Sequence, residues 1–278
     1  MEPAVSGFWL GAARMFRRMG TTVLLGALGL YALVCVLLSS GCVANRLMFH
    51  PPAATYGWKS PGVVKLDTPT GPVAALWLEN TASDKVLVYF HGNAEDLGHG
   101  YPVYVAFRDA GMSVLCIEYP GYGPSAGAPS EKGAYASADA AHAFLTQTRG
   151  IAETNLVVMG LSIGGGPACY FAEKHPAVDG LVLQSAFTSA FRTVTRIRIL
   201  PVDPFPNIAR IGRIPCRKLF LHGTADTIVP HSHAVALAEK AGEPKTLVDV
   251  PGAGHNDLVA VMGFERYVAL VAQFVKGE

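Results

Sequence analysis

The sequence predicts an α/β fold: a mostly parallel eight-stranded sheet with helices on both faces and a short cap, preceded by an N-terminal membrane segment. Three observations carry that expectation. Eight short apolar runs are present, and after the first two they alternate with stretches of helical periodicity, the pattern of right-handed βαβ units. Half of the residues are apolar and only 15% are charged, which suits a packed core and not a disordered chain. A charge-free apolar run, residues 21–38, stands ahead of all the others.

That leading run comes first in order. "TTVLLGALGLYALVCVLL" is close to the roughly 20 residues that span a bilayer as a helix and follows Arg14, Arg17 and Arg18. Arginines on that side favour a cytoplasmic N-terminus and export of the rest. It reads either as an uncleaved anchor or as a cleaved secretory signal. The residues that close it, "LLSSGC" (37–42), resemble a bacterial lipoprotein signal, although Ser39 stands where leucine is commonest in such signals. That resemblance implies a lipidated Cys42 as the mature N-terminus. Both readings separate a signal or anchor segment, residues 1–42, from a folded domain, residues 43–278, and hold that domain on a membrane facing the periplasm.

The domain opens with "VVKLDT" (63–68) and "GPVAALWLEN" (71–80), two β-runs joined by a tight turn. They predict a hairpin at an antiparallel edge. "KVLVYFHG" (85–92) is a continuous apolar run, as a parallel strand buried on both faces must be. "MSVLCIEYPGYG" (112–123), "NLVVMG" (155–160), "GLVLQSA" (180–186), "KLFLHG" (218–223) and "KTLVDVPG" (245–252) repeat it. Helices are expected between them. Residues 99–111 end in a capping glycine. Residues 131–147 are alanine-rich, and 164–175 stop at Pro176. Residues 232–242 and 263–277 complete the set.

Several classes are set aside. The net charge of +1 argues against nucleic acid as a partner. Five cysteines, at 35, 42, 116, 169 and 216, make no disulfide framework, and Cys116 and Cys169 read as buried small residues. There is no HExxH, CxxC or P-loop spacing. His231 and His233 read as a solvated turn and helix start, not a metal site.

In an open α/β sheet the chemistry lies at the carboxyl ends of the strands, and the notable residues fall there. Gly160-Leu161-Ser162-Ile163-Gly164 ends one strand and opens a helix. Gly-x-Ser-x-Gly in that setting is a nucleophile elbow. Its tight turn lifts the serine oxygen above the sheet, and side chains at 160 or 164 would strike neighbouring backbone. The helix start turns N–H groups toward that oxygen. Past the next strands come Asp226, in "TADTIVP", and His255, in "AGHND". The expected roles are nucleophile for Ser162, base for His255 and orienting acid for Asp226. Asp257 follows the histidine and ranks below Asp226. The backbone N–H groups of Ile163 and Asn93 are the candidate oxyanion donors. The loop Tyr119–Gly123 is expected to be structural.

With "YFHGNAEDL", "EYPGYGPSAG", "GLSIGG", "PFPNIARI", "LHGTADTIVP" and "GAGHND", the chain resembles the α/β-hydrolase superfamily over about residues 45–276. Within it these motifs are similar to a subgroup of bacterial membrane-tethered hydrolases and mammalian depalmitoylating proteins. "NRLMFHPP" (45–52) looks like the lead-in of that subgroup. The resemblance implies a serine hydrolase acting on esters or thioesters, with a small-molecule or lipid-like acyl substrate. Peptidase or amidase work on the same three residues, or a silent binding protein of the same fold, are the alternatives. No cofactor or metal is implied, since the three residues supply nucleophile, base and charge stabilisation.

Residues 187–217 form the expected cap. They hold Arg192, Arg196, Arg198, Arg210, Arg213 and Arg217 against one acid, Asp203, with apolar Ile197, Ile199, Leu200, Phe205 and Ile208. Two readings stand: a solvated basic surface, or an interfacial patch for anionic headgroups.

Overall fold

The computed structural model describes residues 4–39, 41–197, 200 and 203–278, and of residues 4–18, 20 and 42 the backbone alone. Ser40, Arg198, Ile199 and the side chains of Arg14, Arg17, Arg18 and Cys42, all named above, lie outside that description.

Helix α1 (Ala4–Ser39) carries the apolar segment. Its stretch Thr21–Ser39 has a mean hydropathy of 2.3, and none of its residues is fully buried in the protein. Nineteen residues at ~1.5 Å each make about 28 Å, close to a bilayer's hydrocarbon thickness. Helix α2 (Cys42–Met48) follows within three residues. Ala44 and Met48, with Phe49 beyond the helix, are buried in the main core.

The sheet holds β1 (Val63–Thr68), β2 (Gly71–Leu78), β3 (Val86–Phe90), β4 (Ser113–Ile117), β5 (Leu156–Leu161), β6 (Gly180–Gln184), β7 (Arg217–Gly223) and β8 (Lys245–Val250). Their order is β1-β2-β4-β3-β5-β6-β7-β8. β2 runs antiparallel to both neighbours, and the remaining pairs are parallel. Every residue of β3, β4 and β6 is buried, which is why those segments are mostly apolar and show no alternation.

Helices cover both faces. On one lie α4 (Glu131–Ala143), α5 (Gly165–Lys174) and α8 (Ser232–Lys240); on the other lie α3 (Tyr101–Asp109), α9 (Leu258–Met262) and α10 (Phe264–Lys276). Strand residues alternate between the two cores. In β3, Val86, Val88 and Phe90 face the first, and Leu87 and Tyr89 the second, as the two-residue strand period requires. α4 begins where the Ser130 hydroxyl accepts the Gly133 N–H at 3.0 Å, a cap that satisfies one orphan donor of the first turn.

Between β6 and β7 the chain forms the cap, with short helices α6 (Arg192–Thr195) and α7 (Asn207–Arg210). Part of its positive charge is neutralised. Arg192 pairs with Asp203 at 2.7 Å, Arg210 and Arg213 with Glu173, and Arg217 with Asp179 at 2.6 Å. Four of the six arginines named above therefore brace the cap and the strand after it rather than present free charge. Val194 and Ile197 are also exposed on the cap, at 83% and 66%, beside exposed Arg196.

Candidate active site

The turn after β5 places Ser162 at φ +53°, a left-handed value that costs a non-glycine residue about 1–3 kcal/mol. The flanking glycines make it possible. A Cβ at 160 would lie 2.6 Å from the Gly165 nitrogen and closer still to the Gly164 carbonyl. A Cβ at 164 would meet the Phe90 carbonyl oxygen and lie 2.7 Å from that of His91. The turn therefore rests directly on the end of β3, where the loop His91-Gly92-Asn93 begins.

The loops after β7 and β8 bring the two partners to this point. The His255 Nε2 lies 3.0 Å from the Ser162 hydroxyl, and its Nδ1 lies 2.7 Å from the Asp226 carboxylate. Because Nδ1–H donates to the carboxylate, Nε2 is free to accept the serine proton. Asp226 is buried and well supplied with donors. Its Oδ1 accepts the N–H groups of Ile228 and Val229 at 2.9 and 2.8 Å. Its Oδ2 accepts His255 and has the His222 Nε2 at 3.3 Å. Burial alone would raise this carboxyl's pKa. The hydrogen bonds from His222, His255 and the Val229 N–H outweigh burial and hold it far below the ordinary carboxylate range. Asp226 thus stays ionised, as an orienting acid must. Asp257 instead accepts the Gly254 N–H at 2.6 Å, within the turn that carries His255.

Ser162, Ile163, Asn93 and His255 share the wall of one cavity of about 1100 Å³, at the upper end of small-molecule sites. Tyr104, Phe187 and Val259 make it largely apolar, and Leu38, Leu47 and Met48 close its wall from the N-terminal side. Among the described residues no protein acceptor takes the Asn93 N–H. Ile163 lies in the first turn after the serine, where N–H groups have no intrahelical partner.

Several residues that shape this site carry no sequence signal of their own. His91 and Glu118 form a fully buried pair at 3.0 Å beneath the Asn93 loop. The other nitrogen of His91 donates to the Gly92 carbonyl at 2.8 Å. Burial opposes the charge on His91, but Glu118 more than compensates and its pKa is raised. Glu118 also accepts the Leu97 N–H at 2.8 Å and the Tyr56 hydroxyl at 2.9 Å. Tyr122, from the loop expected to be structural, donates to the Asn93 side chain at 2.7 Å. His222 stands behind Asp226 and donates to the Val229 carbonyl at 2.8 Å. Apart from His222, which lies four residues before Asp226, each acts across a sequence separation that no local pattern encodes. The clue that could have found them is position: His91, Glu118 and His222 all sit at or just past strand carboxyl ends.

The histidine pair departs from expectation. His231 starts α8 and pairs with Asp249 at 2.6 Å, but His233 is buried, not solvated, and accepts the Thr188 N–H at 3.1 Å. A cluster with metal-ligand reach, His142, Glu153 and His175, lies at the opposite end of β5 from Ser162. Its two imidazoles stack at 3.6 Å and 10°, so their lone pairs do not converge on one ion.

Known proteins agree with this architecture. The family model described as alpha/beta hydrolase fold matches residues 85–209. The chain is 34% identical over 210 residues to alpha/beta hydrolase domain-containing protein 17B of Xenopus laevis, covering 74% of this chain and 72% of that protein. The human protein of the same name is 34% identical over 195 residues, covering 69% and 66%. Among solved structures, the esterase Pf2001 of Pyrococcus furiosus shares the fold with a TM-score of 0.69 over 83% of this chain and 97% of that one, at 20% identity.

Proposed function

The chain belongs to the α/β-hydrolase family of enzymes, and on that premise we propose that it is a serine hydrolase of carboxylic esters or thioesters, working through Ser162, His255 and Asp226. The observation that carries this reading is the unbroken hydrogen-bond chain from the Ser162 hydroxyl through His255 to the ionised Asp226, at the wall of a large apolar cavity. Ser162 attacks the acyl carbon while His255 takes its proton, and Asp226 holds the imidazole in the accepting tautomer and stabilises its charge. The oxygen that becomes negative is received by the N–H groups of Ile163 and Asn93. His255 then returns the proton to the leaving alcohol or thiol, leaving an acyl-enzyme. Water, deprotonated by the same histidine, releases the acid.

The apolar cavity wall favours an acyl chain as the group it holds. The exposed apolar segment Thr21–Ser39, ending a few residues before the buried Ala44, supports a membrane-held enzyme working on lipid-like esters. Cys42 is proposed as its lipidation site in a cleaved form.

The test is hydrolysis of p-nitrophenyl esters from acetate to palmitate by the purified protein, beside Ser162→Ala. Loss of the nucleophile should cost several orders of magnitude in kcat, and the chain-length optimum reports the cavity's depth. Activity retained by Ser162→Ala would sink the proposal.

A further inference from the structure

The residues just after the apolar helix do more than connect it to the domain. Met48, Phe49 and His50 lie against the Asn93 loop, 43 to 45 residues away in sequence. The Asn93 side chain is held at both ends. Its Nδ2 donates to the Met48 carbonyl at 2.6 Å. Its Oδ1 accepts the His50 N–H at 2.9 Å and the Tyr122 hydroxyl at 2.7 Å. The His50 N–H is shared with the Tyr122 oxygen at 3.1 Å. The loop needs such support, because Ala94, the next residue, has φ +57°, a conformation disfavoured for any residue with a Cβ. Asn93 Oδ1 accepts the Ala94 N–H as well, at 3.1 Å.

The segment that does the holding is itself fixed. Ala44, Met48 and Phe49 are buried, and the Phe49 ring meets Tyr119, Tyr122 and Phe205 edge-on at 6.5, 6.4 and 6.0 Å. Leu38, near the end of the apolar helix, and Leu47 reach the cavity wall beside Ser162.

We propose that Met48–His50 is a positioning clamp for the oxyanion loop, so that the seating of the membrane-proximal segment sets the competence of Ser162. The inference rests on the hydrolase reading above. Met48 and His50 act through main-chain groups, and Tyr122 through its hydroxyl. None of them touches the reacting atoms; they fix where the Asn93 N–H points. A donor displaced by a few tenths of an ångström loses part of the 10²–10³-fold that a whole oxyanion donor contributes.

The test removes one N–H from the full-length protein in detergent micelles. His50→Pro deletes the N–H that reaches Asn93 and Tyr122, and Phe49, at ψ 130°, already has the extended geometry that precedes proline. His50→Ala changes the side chain and keeps the N–H. The expected result is a kcat for His50→Pro about tenfold below that of His50→Ala, with KM within about twofold. Equal kcat values, or a difference confined to KM, would overturn the clamp. If His50→Pro lacks a cooperative thermal transition, Asn93→Ala decides. It keeps the backbone N–H, removes every bond of the Asn93 side chain, and should lower kcat by about 10- to 100-fold; an unchanged kcat overturns the proposal. Ser162→Ala in the same series separates the two readings. If it stays active, the hydrolase reading fails. If it is silent while His50→Pro matches His50→Ala, the clamp alone fails.

Discussion

Asp226→Asn is the substitution that most directly tests how His255 is held. The amide is nearly the shape of the carboxylate, so packing is kept and only hydrogen-bond polarity changes. Oδ1 faces two backbone donors, Ile228 N–H and Val229 N–H, at 2.9 and 2.8 Å. Turning the amide NH2 toward them would leave both unsatisfied, at about 1–3 kcal/mol each. The amide oxygen therefore stays there, and the NH2 replaces Oδ2, facing the His255 Nδ1. An NH2 in that place donates to Nδ1 and drives the imidazole proton to Nε2, which then faces the Ser162 hydroxyl and cannot accept from it. The working tautomer survives only in the flipped amide, disfavoured by about 2–6 kcal/mol in total. At about 1.4 kcal/mol per decade, that is a loss of roughly 30-fold to 10⁴-fold in kcat. The upper end matches the tautomer loss known for such triads. His222 keeps the Val229 carbonyl as an acceptor at 2.8 Å, so the fold should survive. The assay is steady-state hydrolysis of a short p-nitrophenyl ester, with active sites counted by burst titration and Ser162→Ala as the floor. A kcat within about threefold of the parent, on a full complement of sites, would refute the orienting role of Asp226.

Two further predictions concern pH and the N-terminus. Burial, helped by His222, Arg196 and Arg192, lowers the His233 pKa to about 4, and the neutral ring accepts the Thr188 N–H at 3.1 Å. The unfolded chain binds this proton nearer pH 6.5, so the stabilisation is complete above about 6.5 and is lost as pH falls toward 4. At ~1.4 kcal/mol per unit this amounts to about 3 kcal/mol. Urea midpoints should fall across that window in the parent and less steeply in His233→Asn; parallel slopes would refute the assignment. Mass spectrometry of the mature membrane fraction should find a lipid-modified chain starting at Cys42, whereas an intact Met1 would leave the uncleaved anchor.

Much of the fold was legible because burial leaves a one-dimensional trace. Strands covered on both faces must be apolar along most of their length, so β3, β4 and β6 read as runs without alternation, with polar Ser113 and Gln184 only at strand ends. The glycines at 160 and 164 were legible because contact with backbone admits no side chain. Ser162, Asp226 and His255 could be named because each lies just past an apolar run, and the structure brings the three into one hydrogen-bonded chain. Less legible were the ion pairs of the cap arginines, because Glu173 and Asp179 are supplied by α5 and by the turn before β6.

The alternation of strand and helix, the apolar N-terminal helix and the residue types at the strand ends could be read from the amino-acid order, since each follows from local burial or local backbone geometry. That Met48 and His50 grip Asn93, that His91 and Glu118 form a buried pair beneath the Asn93 loop, and that His222 backs Asp226 emerges only in the folded chain. These are directional contacts. Met48, His50 and Glu118 reach theirs from distant parts of the chain, where hydrogen-bond geometry leaves no periodic mark, and they exist only once the sheet has set its strands side by side.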